Sequence, residues 1–166
     1  MAIRVAVVTL SDSASMGTRQ DQSGPEVERI LMEAGGFQVV RSHILPDDEE
    51  EIERLLKGIC DSREVDLILT TGGTGLHPRD VTPEATRLVI DREVPGISEL
   101  MRLEGLKFTP RAALSRAVAG IRSKTLIVNL PGSVKGISQS LGAILPILKH
   151  AVKKASGDST PCGDPE

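Results

Sequence analysis

Aromatic residues are almost missing from this 166-residue chain, which has two phenylalanines, Phe37 and Phe108, and no tryptophan or tyrosine. The usual platform for stacking single-stranded bases is therefore absent, and the core must be aliphatic. Charge of one sign is lacking as well. Lys and Arg total 20 against 23 Asp and Glu, for a formal net charge of -3. Such a weak field does not draw polyanions to the surface at large. Nucleic-acid binding is disfavoured, while a local basic pocket for one small anion stays open. Cysteine is scarce: Cys60 and Cys162 match no metal spacing and cannot make a disulfide scaffold, so a reduced intracellular protein is expected. Long apolar runs are also missing. The opening MAIRVAVVTL passes straight into SDSASMG with no cleavage pattern, so no export signal is read and a cytoplasmic location is expected.

What is present is an alternation of strand-like and helix-like segments. Residues 3–10, 37–44, 65–71 and 124–130 read as strands: the nearly continuous apolar run of the first suits a strand covered on both faces, and the alternation of 37–44 is blurred by its buried neighbours. Helical spacing follows each. Ser23 and Glu26 make a capping box ahead of Val27, Ile30, Leu31 and Ala34. Asp48 caps a helix carrying Ile52, Leu55, Leu56 and Ile59, and its acidic first turn suits a helix N-terminus. Thr82-Pro83 starts another, with Ala85, Leu88 and Val89 apolar. A short helix is expected around Ser98–Leu103, and Thr109-Pro110 opens one with Ala113, Leu114 and Ala117 inward. The last helix, Lys135–Ala155, contains Pro146, which should kink or divide it. The expected fold is a three-layer α/β/α sandwich with a largely parallel central sheet: one domain over residues 1–155, then a loose tail over 156–166.

Ligands of open α/β sheets gather beyond the carboxyl ends of the parallel strands. Four such exits carry unusual residues: Ser11-Asp12-Ser13, Pro46-Asp47, Gly72 to Asp80, and Asn129 to Ser133. The run Thr70-Thr71-Gly72-Gly73-Thr74-Gly75 reads either as an ordinary tight turn or as a phosphate cradle of outward amides and hydroxyls. It fits neither the Walker nor the Rossmann spacing. A carboxylate beside such a cradle, Asp80, repels phosphate unless Mg²⁺ lies between them, and Asp47 could supply a second oxygen. Otherwise Asp80 merely offsets a helix dipole. Arg79 and Lys135 are either solvated surface cations or neutralisers of the ligand. Asn129-Leu130-Pro131-Gly132-Ser133 is either a capped turn or an anion-binding helix start. His43, His77 and His150 are scattered, and the serines have no His-Asp partnership, which leaves a hydrolase triad unsupported.

Taken together, TLSDSAS at 9–15, ILPDD at 44–48, TTGGTGLHPRDVTPEAT at 70–86, DREVPGISELMR at 91–102, LSRAVAG at 114–120 and NLPGSVKG at 129–136 closely resemble the molybdopterin-binding MogA/MoaB family, which includes the gephyrin G domain. The resemblance spans residues 3–155 with the motifs in family order. It implies a molybdopterin adenylyltransferase that moves AMP from ATP to the terminal phosphate of molybdopterin and releases pyrophosphate. It places the family's two essential carboxylates, which also hold Mg²⁺, at Asp47 and Asp80. The nucleotide or pterin loop falls on Thr71, Gly72, Gly73, Thr74 and Gly75. Further pocket walls fall on Ser11, Asp12 and the Asn129, Leu130, Pro131, Gly132, Ser133 turn, with Arg79 or Lys135 meeting the pyrophosphate charge. A trimer or hexamer is implied, with a MoeA-type molybdenum-insertion protein as the receiving partner. Val134 stands where many members have proline, and the short C-terminus resembles the MoaB-like branch, in which some members bind pterin without catalysis. That carrier role is the alternative reading.

Overall fold

The computed structural model describes residues 1–161; the last part of the expected tail, including Cys162, lies outside the described residues. Six strands form one sheet in the order β2-β1-β3-β6-β5-β4. They are β1 (Ile3–Leu10), β2 (Phe37–Leu45), β3 (Leu67–Thr71), β4 (Arg92–Glu93), β5 (Ala119–Arg122) and β6 (Thr125–Leu130). The first four in that order run parallel, and β5 and β4 add an antiparallel edge.

Strand periodicity divides the core in two. Val5, Val7, Leu67, Leu69, Leu126 and Val128 face one side, against α2 (Ser23–Ala34), α5 (Pro95–Leu106) and α6 (Val134–Ala155). Ala6, Val8, Ile68 and Ile127 face the other, against α3 (Glu49–Ser62) and α4 (Thr82–Val89). Every residue of β3 and β6 is buried, which explains why their sequences do not alternate in polarity. The result is the expected three-layer sandwich.

Four expectations about the elements are corrected. Residues 110–114 form only a 3-10 turn with Ala113 and Leu114 outside, and the following stretch is strand β5, paired to β6 through a tight Ser123-Lys124 reversal. The helix expected near residue 98 spans Pro95–Leu106, longer than its broken apolar pattern suggested. Pro146 lies on the exposed face of α6, and the helix runs through it unbroken. The carbonyl it deprives of a partner, that of Gly142, is on the same wet side, where water can replace the lost bond. Leu88 points outward from α4 at 55% exposure.

The start of α2 also differs from its expected capping box. Asp21 Oδ1 accepts from the Ser23 and Gly24 amides at 2.9 and 3.2 Å, while Ser23 Oγ turns away and donates to the Gly132 carbonyl at 2.7 Å. This bond ties the start of α2 to the exit of β6. Asp48, in contrast, caps α3 as expected, accepting from the Glu51 amide at 2.9 Å.

Candidate active site

Because β2, β1, β3 and β6 are parallel neighbours, their four carboxyl ends lie along one sheet edge. At that edge the chain leaves β3 through Gly72 and Gly73, with φ of 97° and 65°. The turn is crowded as well as left-handed: a Cβ on Gly72 would lie 2.3 Å from the Leu10 carbonyl oxygen. Only glycine meets both demands. Among the described residues, the amides of Gly73, Thr74 and Gly75 donate to no other group, which leaves three donors at one bend.

The carboxylates pack against this bend. A Cβ on Gly73 would lie 3.1 Å from Asp47 Oδ1, and one on Gly75 would lie 2.8 Å from Asp80 Oδ2. Asp47 exchanges two bonds with Asp12: the Asp12 amide donates to Asp47 Oδ2 at 3.1 Å, and the Asp47 amide donates to Asp12 Oδ1 at 3.0 Å. The exits of β1 and β2 are thereby laced together. Asp47 Oδ1 is buried and has no partner. Burial pushes the Asp47 carboxyl above its ordinary range, and the charges of Asp12 and Asp80 push the same way against the help of the Asp12 amide and Arg79. Asp80 Oδ2 accepts from the His77 amide at 3.0 Å.

Arg79 is engaged elsewhere than expected. It grips both oxygens of Asp12, at 2.8 Å to Oδ1 and at 2.9 and 3.0 Å to Oδ2. That grip holds the Asp12 carboxyl below the usual range. Lys135 is exposed on the first turn of α6. Ser133 caps α6, accepting from the Gly136 amide at 3.1 Å, and Ser11 caps the short α1 (Asp12–Ser15), accepting from the Ala14 amide at 3.2 Å.

Two hollows flank the glycine bend. One, about 510 Å³, is mixed in polarity and lies between the exits of β1 and β6 and the start of α2; Ser11, Arg19, Asp21, Thr71, Gly72 and Gly132 line it. The other, about 480 Å³, is mainly apolar and lies against α5 and the 3-10 turn, with Gly75, Leu76, Met101, Arg102, Arg111 and Gln139 in its wall. Ser133 borders both. Asp47 and Asp80 line neither hollow; they sit on the bend between them.

The expected pocket wall is narrower than its sequence suggested. Asn129 and Leu130 are fully buried. The Asn129 amide nitrogen donates to the hydroxyls of Thr70 and Thr86 at 3.0 and 2.9 Å, and its oxygen accepts from the Val118 amide at 3.1 Å. Its side chain is spent inside the core, and Pro131, Gly132 and Ser133 are left to face the hollows. Thr71 is also buried, its hydroxyl donating to the Pro131 carbonyl at 2.8 Å. Missed from the sequence were Arg19, Gln20, Asp21, Gln22 and Ser23, because a polar loop gives no periodic signal. Arg116 was missed too, because its partners are distant in the chain.

The fold and this edge define an α/β protein with an amide-lined, carboxylate-faced cleft suited to a phosphorylated ligand. The comparisons sharpen that class. The family model described as "Probable molybdopterin binding domain" matches residues 6–150. The molybdopterin adenylyltransferase of Helicobacter pylori strain J99 is 42% identical over 158 residues, covering 94% of this chain and 89% of the relative. The crystal structure of the molybdopterin biosynthesis enzyme MoaB of Thermus thermophilus is 51% identical with a TM-score of 0.88, covering 94% and 98% of the two chains. The tungsten cofactor synthesizing protein MoaB of Pyrococcus furiosus is 31% identical with a TM-score of 0.83, covering 93% and 98%. The chain belongs to the MogA/MoaB molybdopterin-binding family.

Proposed function

We propose that the chain is a molybdopterin adenylyltransferase, an enzyme of molybdenum cofactor biosynthesis. An oxygen of the terminal phosphate of molybdopterin bonds to the α-phosphorus of ATP, and the bond from that phosphorus to the β-phosphate oxygen breaks, releasing pyrophosphate. The attacking oxygen is already anionic, so the protein's task is alignment and charge management. Near full-length similarity to molybdopterin adenylyltransferases supports the choice of substrates. The observation that carries the reading in this molecule is the convergence of Asp47 and Asp80 on the glycine bend, with Asp47 Oδ1 buried and unpartnered.

That orphaned oxygen also tests the expected Mg²⁺. An uncompensated buried carboxylate oxygen is costly and suits a cation. Among the described residues no group of three or more His, Cys, Asp or Glu could hold a metal by itself. Two carboxylates still fit Mg²⁺, which keeps several waters and is commonly held by one or two carboxylates together with substrate phosphates. Asp47 and Asp80 are therefore its proposed ligands. When Mg²⁺ is bound, the chemistry it supplies is the offset of charge on the ATP phosphates. The free amides of Gly73, Thr74 and Gly75 hold a phosphate, and Ser133 at the start of α6 serves both hollows. Arg79 meets phosphate only after leaving Asp12, and Lys135 reaches the cleft only by extending from the helix surface.

The wider expectations belong to the same proposal: residues 1–155 act as one domain in the cytoplasm, as a trimer or hexamer, and pass the adenylylated pterin to a MoeA-type insertion protein. No helix among the described residues is long and apolar enough to cross a membrane.

The test is an anaerobic incubation with molybdopterin, ATP and Mg²⁺, following pyrophosphate and adenylylated pterin by mass. Asp47→Asn and Asp80→Asn, checked for folding, are each expected to lower the rate by about 100-fold or more while retaining pterin binding. Tight pterin binding with no product from the intact protein would instead indicate the carrier role.

A further inference from the structure

Four bonds converge on Arg116, in the stretch between the 3-10 turn and β5. Its amide donates to the Thr74 carbonyl at 2.9 Å, its Nε to the Gly75 carbonyl at 2.7 Å, and its Nη2 to the Asp80 carbonyl at 2.6 Å. Its Nη1 pairs with Glu84 Oε1 on the first turn of α4. Burial is the largest single influence and raises the Glu84 carboxyl, but the bond from Arg116, a backbone amide bond and the charges of Arg116 and Arg87 together outweigh it and leave the carboxyl below its ordinary range.

These contacts share one feature. Thr74, Gly75 and Asp80 are the two ends of a single loop, and Arg116 holds both ends from behind. On the opposite side the Asp80 carboxylate turns back onto the loop, accepting from His77 and lying against Gly75. The loop interior, Leu76 to Arg79, is exposed, and Arg79 at its end is tied to Asp12. The position of Asp80 relative to Asp47 therefore depends on how firmly the loop ends are held, together with the tie from Arg79 to Asp12 and on to Asp47. A guanidinium suits this task because its planar fork can address two carbonyls at once, with Glu84 fixing the plane; a lysine ammonium is a point donor on a flexible stem.

We infer that Arg116 is a positioning residue for adenylyl transfer, holding the 74–80 loop closed so that the Asp80 carboxylate is presented beside Asp47. The inference rests on the adenylyltransferase reading, but its first consequence can be read without the reaction. In Arg116→Gln and Arg116→Lys, amide hydrogen exchange in peptides covering residues 74–80 speeds up, while the strands of the sheet keep their protection. In the reaction, kcat falls by about 10–100-fold with the KM for ATP within about three-fold, the pattern of a lost positioning effect.

The discriminating arm is a double-mutant cycle. Once Asp80→Asn has removed the carboxylate, Arg116→Lys is expected to cost less than about three-fold more, because the two residues act through one group. A merely structural arginine would give the same fold-loss in both backgrounds, and that result overturns the inference. Unchanged exchange over 74–80 overturns it too. If Arg116→Gln fails to fold, Arg116→Lys, which keeps the charge, carries every arm. If the intact protein forms no adenylylated pterin, the adenylyltransferase reading fails, and the exchange measurement still decides whether Arg116 holds the loop.

Discussion

Asn129 and Asp47 show two fates of a buried polar group. Asn129 is fully enclosed with three hydrogen bonds, so its burial is compensated and it locks Thr70 and Thr86 in place. Asp47 keeps one buried oxygen without a partner, a cost that a stability-optimised protein would remove and a phosphate-handling site can use. Asp66 has a third environment, at the far end of the sheet from the cleft. It accepts from the Arg4 amide at 2.9 Å and from its guanidinium at 2.6 and 3.0 Å, joining β1 to the start of β3. The bond to the Arg4 side chain, with help from the amide and charge, outweighs partial burial and lowers the Asp66 carboxyl below its ordinary range. A depressed folded-state value adds stability above the unfolded pKa of about 3.9, and this is lost as pH falls through the folded value. Asp66→Asn is therefore expected to cost about 1 kcal/mol at pH 7, discounted for the exposure of the pair. Unfolding midpoints of the two proteins should converge as the pH drops below about 4. A gap that does not change with pH would show that the ion pair is not its source.

At the scale of elements, local chemistry and tertiary pairing compete. The Ser23-to-Glu26 spacing read as a capping box, yet Asp21 does the capping because Ser23 is drawn to Gly132 on a distant strand exit. Asp21→Ala is expected to destabilise the fold by about 1 kcal/mol, the usual cost of a lost cap. Ser23→Ala should cost less in denaturant unfolding, since it removes a bond outside the helix. The reverse ranking would restore the capping box. The stretch 109–122 shows the same competition on a larger scale. Proline and alanines favour helix at its start, but Ala119 to Arg122 find a ready partner in β6 and a short one in β4, and sheet pairing ends the helical tendency after one turn. Gly120 makes that pairing possible, because a Cβ there would lie 2.8 Å from the Arg92 carbonyl oxygen. Such long-range pairing leaves no mark in a local window.

At the scale of the whole molecule, the parallel order β2-β1-β3-β6 is what turns four separate sequence motifs into one edge. The outer surface carries apolar residues that the monomer does not need there: Leu103, Leu106 and Phe108 are 63%, 45% and 56% exposed. Apolar exposure clustered near one helix end suits contact between copies. Native mass spectrometry of the full chain is expected to give three or six times 17.7 kDa. A monomer at micromolar concentration would overturn the proposed assembly.

Much of this molecule could be read before its structure. The four parallel strands, the caps at Asp48 and Ser133, the glycine bend and the candidacy of Asp47 and Asp80 all rest on residue types whose chemistry acts locally: β-branched runs, side-chain caps, glycines in a tight turn, and carboxylates placed at strand ends. The sequence by itself thus determined the layer architecture and the edge at which chemistry belongs. The tertiary structure decided what each side chain at that edge does. It turned Asn129 inward, gave Arg79 to Asp12, set the carboxylates on the bend between two hollows, and brought Arg116 behind the Asp80 loop. Those assignments depend on partners tens of residues away in the chain. A hydrogen bond is decided by distance in space, which the order of residues leaves open until the sheet has formed.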